Sequence, residues 1–226
     1  MEGVLQIEEH APNVTEVAYA LKSRFKDFAH NNKKNPLNEL LFIICSVRTN
    51  NRSYETVYRD LRREYPRAEM LAETPADYIA DAINSGGLHN HKSVIIKTII
   101  ERTIERFGRP TLTPLKDMTD EECERFLTSL PGVGKKVARC VMMFSLGRDA
   151  FPVDTHCWRI CQRLGWITPS RRDGTCSQAD MDILQDMIPR KLRFSLHVNM
   201  LSLGRKICTP MKPSCLECPI EEYCFK

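Results

Sequence analysis

Four cysteines, Cys208, Cys215, Cys218 and Cys224, crowd the last nineteen residues of this 226-residue chain in the pattern C-x6-C-x2-C-x5-C. Soft thiolates so close together bind either zinc or an iron–sulfur cluster. The other six cysteines are scattered, and a chain of this length needs no disulfide staples, so the pattern points to a reducing compartment and a local cofactor. No flavin or nicotinamide fingerprint accompanies the tail, which makes a structural role the simpler reading. Lys212 lies between the first two ligands, where a rigid loop can offer a cation to phosphate.

A second constellation is Leu130-Pro131-Gly132-Val133-Gly134-Lys135-Lys136, followed by an apolar stretch to Gly147. Two glycines around a small apolar residue make a tight turn between helices. Without side chains, that turn lets backbone N–H groups approach a phosphate at the positive end of the second helix. This is the helix-hairpin-helix device, which grips a nucleic-acid backbone without reading bases. Phe151-Pro152-Val153-Asp154-Thr155-His156 follows, an extended segment in which Asp154-Thr155 caps a helix starting at His156. Taken alone, Asp154 reads as that cap and Lys136 as surface charge.

Together, the hairpin, the Val-Asp-Thr-His segment eighteen residues after Lys136 and the terminal cysteines resemble the endonuclease III branch of helix-hairpin-helix DNA glycosylases. The resemblance spans roughly residues 30–226. It implies a bifunctional glycosylase with AP lyase activity that removes damaged or abnormal pyrimidines in base excision repair. Lys136 is then the nucleophile, Asp154 its essential partner, and the four cysteines hold a [4Fe–4S] cluster. The implied fold is all-α, with a six-helix barrel over 30–148 that contains the hairpin at about 120–147. A cluster domain is built from 1–29 and 149–226. The implied partner is double-stranded DNA carrying a lesion or an abasic site, bound by a monomer in the cytoplasm or nucleus, with no membrane involved.

The chemistry is coherent. An amine attacking C1′ must be unprotonated, which a helix N-terminus and neighbouring cations favour. A carboxylate can stabilise the cationic sugar as the base leaves. The resulting Schiff base permits β-elimination, and the target nucleotide must first leave the helix stack. The implied DNA contacts are Gly132, Val133, Gly134 and Lys135 of the hairpin, with Lys212 and His156. Leu88 within Gly86-Gly87-Leu88-His89-Asn90-His91-Lys92 takes the place of the family's wedge. Arg48 stands where the family carries a gap-filling glutamine, and Asn50 and Asn51 replace threonine and aspartate. Those departures bear on substrate choice. Phe151–Thr155 and Arg163-Leu164-Gly165-Trp166 are also similar to plant cytosine-demethylating glycosylases, so T·G or 5-methylcytosine substrates form an alternative. A non-catalytic DNA-binding iron–sulfur protein is another.

The elements that must carry these residues are helical. Hydrophobic residues make up 42% and charged residues 27%, which excludes wholesale disorder, and no apolar run approaches a membrane span. Val14, Val17, Leu21, Phe25 and Phe28 form one amphipathic stripe, predicting a helix over 14–29. Further helices are predicted over 37–47, 54–63, 93–107 and from Thr119-Asp120-Glu121-Glu122 to about Leu130; Thr74 caps another, with Pro75 at its first helical position. Net charge is only +4, yet residues 130–175 and 186–212 each carry a net +5. The basic surface therefore lies beside the hairpin and the cysteine tail.

Overall fold

The computed structural model describes residues 13–28, 31–46 and 54–225, and among them every regular element is a helix. The all-α expectation holds. The chain divides into two compact units, one from His30 to Pro152 and one from both terminal segments, 1–29 and 153–226. No described helix is long and apolar enough to cross a membrane.

The central unit contains α2 (Pro36–Ser46), α3 (Tyr54–Glu64), α4 (Ala68–Glu73), α5 (Ala76–Ala82), α6 (His89–Phe107), α7 (Asp120–Ser129) and α8 (Lys135–Ser145). Its core is aliphatic: Leu40, Leu41 and Ile44 of α2 meet Ile96, Ile99 and Ile100 of α6 and Val141 of α8 in one buried cluster. Each such side chain stabilises the fold by roughly 1.5–3 kcal/mol. Helix α2 runs antiparallel to α8. Ser145 Oγ, at the end of α8, donates to Lys33 O at 2.5 Å just before α2 begins. At the other end, a Cβ added to Gly132 would lie 3.7 Å from Ile44 Cδ1.

The terminal unit contains α1 (Val14–Phe25), α9 (Thr155–Arg163), α10 (Gln178–Met187) and α11 (Arg193–Lys206). Helix α11 is buried almost all round, and α1 and α9 pack on it. Trp166 Nε1 donates to Asn13 Oδ1 at 3.1 Å, tying the segment after α9 to the start of α1.

Two boundaries differ from the sequence expectation. Helix α1 stops at Phe25, because Lys26 and Asp27 are left-handed (φ 58° and 51°) and Phe28 is exposed. The cause is tertiary. Asp27 accepts from Ser195 Oγ at 2.5 Å and Asn199 Nδ2 at 2.8 Å, and Lys22 pairs with it at 3.0 Å. Pro75 precedes α5 as its cap, rather than filling the first helical position, and Thr74 Oγ1 bonds back to Met70 O.

Candidate active site

The hairpin is built locally. Thr119 and Glu122 form the expected capping box at the start of α7, with bonds of 3.2 and 2.9 Å. Leu130 and Val133 are buried and anchor the turn to the core. Gly132 is left-handed (φ 72°), and a Cβ there would come within 3.0 Å of Ile95 Cδ1, so backbone and packing both demand glycine. Gly134 differs. It caps α8 with an ordinary φ of −86°, and a Cβ on it would meet nothing within 4 Å. Internal packing does not explain that glycine; open space in front of the α8 N-terminus is what it provides. The Val133 N–H donates to Leu130 O at 3.2 Å and its side chain is buried, which closes the turn.

Lys135 and Lys136 open α8 and diverge. Lys135 pairs with Glu124 of α7 at 3.7 Å, and the same carboxylate takes a bond from the buried Arg139 at 2.9 Å. Lys135 is thus held on the protein rather than projecting freely at phosphate. Lys136 is half-buried in the same unit. Its charge acts on Glu39 of α2, a fully buried carboxylate whose pKa is raised because burial outweighs the opposing Lys33 N–H, Asn32 and the charges of Lys33 and Lys136.

In the terminal unit, Asp154 caps α9 as its sequence predicts. One oxygen accepts from His156 N–H at 2.9 Å and Cys157 N–H at 2.8 Å. Burial opposes its charge, yet His197, the Cys157 N–H and His156 together hold its pKa below the usual carboxylate range. Asp154 is therefore a stable anion. Cys157 and the buried His197 of α11 meet at 3.5 Å. Burial pushes the His156 pKa down, against Asp154, and Arg159 donates to its Nδ1 at 3.1 Å. The ring also lies so close to Gly204 that a Cβ there would be 2.7 Å away. The His156 ring is thus packed between Gly204 and Arg159.

The four C-terminal cysteines line one cavity of about 290 Å³ with Ile207, Pro213 and Phe225. Burial raises the Cys218 pKa, and the other three thiols are near enough to raise it further. Arg163 of α9 donates to Cys208 Sγ at 3.0 Å, to Thr209 O at 3.0 Å and to Pro210 O at 3.1 Å. Among the described residues no group of three or more His, Cys, Asp or Glu side chains is placed to hold a metal ion. Soft thiols around a void, with a guanidinium on one sulfur, suit a multi-iron cluster. Lys212 is exposed on the intervening loop, which Thr209 Oγ1 closes by donating to Lys212 O at 2.7 Å.

Leu88 precedes α6 with φ 61°, a left-handed conformation that a leucine adopts only under strain, and its side chain is 48% exposed. Arg48, Asn50 and Asn51 lie outside the described residues. Sequence reasoning missed Glu39, Glu124, His197 and Arg163. A carboxylate inside the apolar run 37–45 was the available signal for Glu39. A histidine between Leu196 and Val198 was the corresponding one for His197.

Residues 41–179 match the family described as the HhH-GPD superfamily base excision DNA repair protein. The chain is 29% identical to endonuclease III of Thermotoga maritima over 200 residues, covering 88% of this chain and 87% of that one. It is 33% identical to a putative DNA glycosylase, At3g47830, of Arabidopsis thaliana, covering 78% of this chain and 58% of that one. It is 30% identical to the DNA glycosylase/AP lyase ROS1 of the same plant, covering 65% of this chain but only 11% of ROS1. Among solved structures it superposes on a trapped endonuclease III–DNA covalent intermediate with TM-score 0.75 and 25% identity, covering 93% of each chain.

Proposed function

The chain belongs to the HhH-GPD superfamily of base excision DNA repair proteins and is a DNA glycosylase; from that premise we propose that it is bifunctional, cutting DNA through a Schiff base on Lys136. The observation that carries this reading is the half-buried Lys136 in the first turn of α8, directly behind a glycine hairpin open at Gly134. The similar solved structure is a covalent endonuclease III–DNA intermediate, and ROS1 is named an AP lyase, both of which support it.

The substrate is double-stranded DNA holding a damaged or abnormal pyrimidine, or an abasic site, and the enzyme acts as a monomer in the cytoplasm or nucleus. The hairpin N–H groups and Lys212 engage phosphate, and Leu88 fills the gap left by the extruded nucleotide. The neutral amine of Lys136 donates its electron pair to C1′ as the C1′–base bond breaks and the base leaves with the bonding pair; the new C–N centre then sheds a proton and the C1′–O4′ bond opens, giving the Schiff base. Asp154, kept ionised by its cap bonds, stabilises the positive charge that develops on the sugar. Loss of the C2′ proton then expels the 3′ phosphate. Cys208, Cys215, Cys218 and Cys224 would hold a [4Fe–4S] cluster, whose contribution when bound is to tie the C-terminal loops into one rigid body.

Strand cutting at a defined abasic site tests the proposal. Wild-type protein should leave a β-elimination end, and Lys136→Ala should not. Equal cutting by both would remove Lys136 from the mechanism, and a free 3′ hydroxyl product would exclude the lyase.

A further inference from the structure

Glu39 stands in the first turn of α2, completely buried. Both its oxygens are engaged, Oε1 by Asn32 Nδ2 at 2.5 Å and Oε2 by the Lys33 N–H at 2.6 Å. Helix α2 itself carries no basic residue. A buried carboxylate is strongly disfavoured unless a cation compensates it, so the compensating charge must come from elsewhere.

The register of the helix pair shows where. Ile44 near the end of α2 lies opposite Gly132, and Lys33 before α2 is bonded to Ser145 at the end of α8. At a rise of about 1.5 Å per residue, Glu39 sits roughly 7–8 Å back from Ile44 along α2, while Lys136 is the second residue of α8, four positions on from Gly132 through the hairpin turn. The two residues therefore fall at one level of an antiparallel pair. The charge of Lys136 acts on Glu39, as does that of Lys33. Around them, Glu124 on α7 is shared by Lys135 and Arg139. Lys33 lies over the Phe42 ring at 4.4 Å, and Lys92 on α6 donates to Cys45 O at 2.9 Å. The Tyr58 phenol on α3 is near enough to feel the charge of Glu39.

We propose that Glu39 is a positioning residue for Lys136: its buried carboxylate holds the amine on α8 and sets the pH at which that amine becomes a nucleophile. The proposal rests on the reading of Lys136 as the nucleophile. A fixed negative charge beside an ammonium favours the charged form. Removing that charge should release the free amine at lower pH, while loosening its aim.

The test is borohydride trapping on abasic-site DNA as a function of pH, with the intact protein. In Glu39→Gln the trapping midpoint should fall by about one pH unit or more relative to wild type. A merely structural glutamate would lower the yield without moving the midpoint. A folded Glu39→Gln protein whose midpoint is unmoved or raised overturns the proposal. Should circular dichroism show Glu39→Gln unfolded, Glu39→Asp carries the test, keeping the charge on a shorter arm. Its midpoint should stay near wild type while the plateau rate drops about tenfold, since misplacement of a reacting group costs that much or more. A wild-type plateau, or a displaced midpoint, would again overturn it. Lys136→Ala is the control: if it traps as wild type, the underlying reading has failed, whatever Glu39 does.

Discussion

Gly132 and Gly134 stand two residues apart in the hairpin, yet alanine at each should have opposite consequences. At Gly132 the backbone is left-handed (φ 72°), which costs an alanine roughly 1–2 kcal/mol. The new Cβ would also approach Ile95 Cδ1 to 3.0 Å, so a partly buried side chain must shift by a few tenths of an ångström. Together these set a loss of about 2–3 kcal/mol, or roughly 4–12 °C in Tm for a chain of this size. At Gly134 φ is −86° and a Cβ meets nothing within 4 Å, so the cost to stability should stay below about 1 kcal/mol. The methyl group there would instead occupy the space a phosphate needs to reach the first N–H groups of α8. Losing a hydrogen bond to a charged group costs about 1.5–3 kcal/mol, roughly a ten- to hundredfold weaker affinity. Urea unfolding followed by circular dichroism gives the stabilities, and fluorescence anisotropy with an abasic-analogue duplex at low salt gives the affinities. If Gly134→Ala binds as tightly as wild type, or destabilises as much as Gly132→Ala, the account of the hairpin is wrong.

Leu88→Gly should relieve left-handed strain and stabilise the fold by about 1 kcal/mol while weakening capture of lesion DNA; a loss of stability would contradict it. Arg163→Gln removes the bonds to Cys208 Sγ, Thr209 O and Pro210 O, so the visible iron–sulfur absorbance should bleach several-fold faster under chelator; wild-type bleaching would refute the role of that guanidinium. Asp180 is buried, which alone would raise its pKa, but the Ser177 N–H and the Ser170 hydroxyl and N–H bring the net shift below the usual value. The unfolded chain then takes up that proton first. The stability Asp180 contributes is fully present above about pH 4 and fades as pH falls through its lower folded pKa. Asp180→Asn should flatten the acid limb of unfolding free energy against pH, and parallel limbs would show that the carboxylate contributes nothing there.

What could be read from the sequence was what local chemistry decides. The capping box at Thr119, the cap at Asp154, the left-handed turn at Gly132 and the helix of α8 follow from residues within a few positions of one another. Features made by partners distant in sequence were hidden. Helix α1 ends early because Ser195 and Asn199 claim Asp27 from some 170 positions away. His156 reads as a DNA contact, and its packing against Gly204 and Arg159 depends on partners outside its own segment. Glu39 and Lys136 are brought to one level only by the antiparallel pairing of α2 with α8, which no spacing rule reveals. Lys135, adjacent to the proposed nucleophile, looks equivalent to it in sequence and is separated from it by Glu124.

The central claim is that Lys136 forms the covalent bond to DNA. Wild-type protein should be reduced with borohydride on an abasic-site duplex, digested with protease, and the DNA-linked peptide sequenced by mass spectrometry. The adduct should lie on Lys136, and Lys136→Ala should give none under the same conditions. An adduct on Lys135 or on any other residue, or undiminished trapping by Lys136→Ala, would contradict the account.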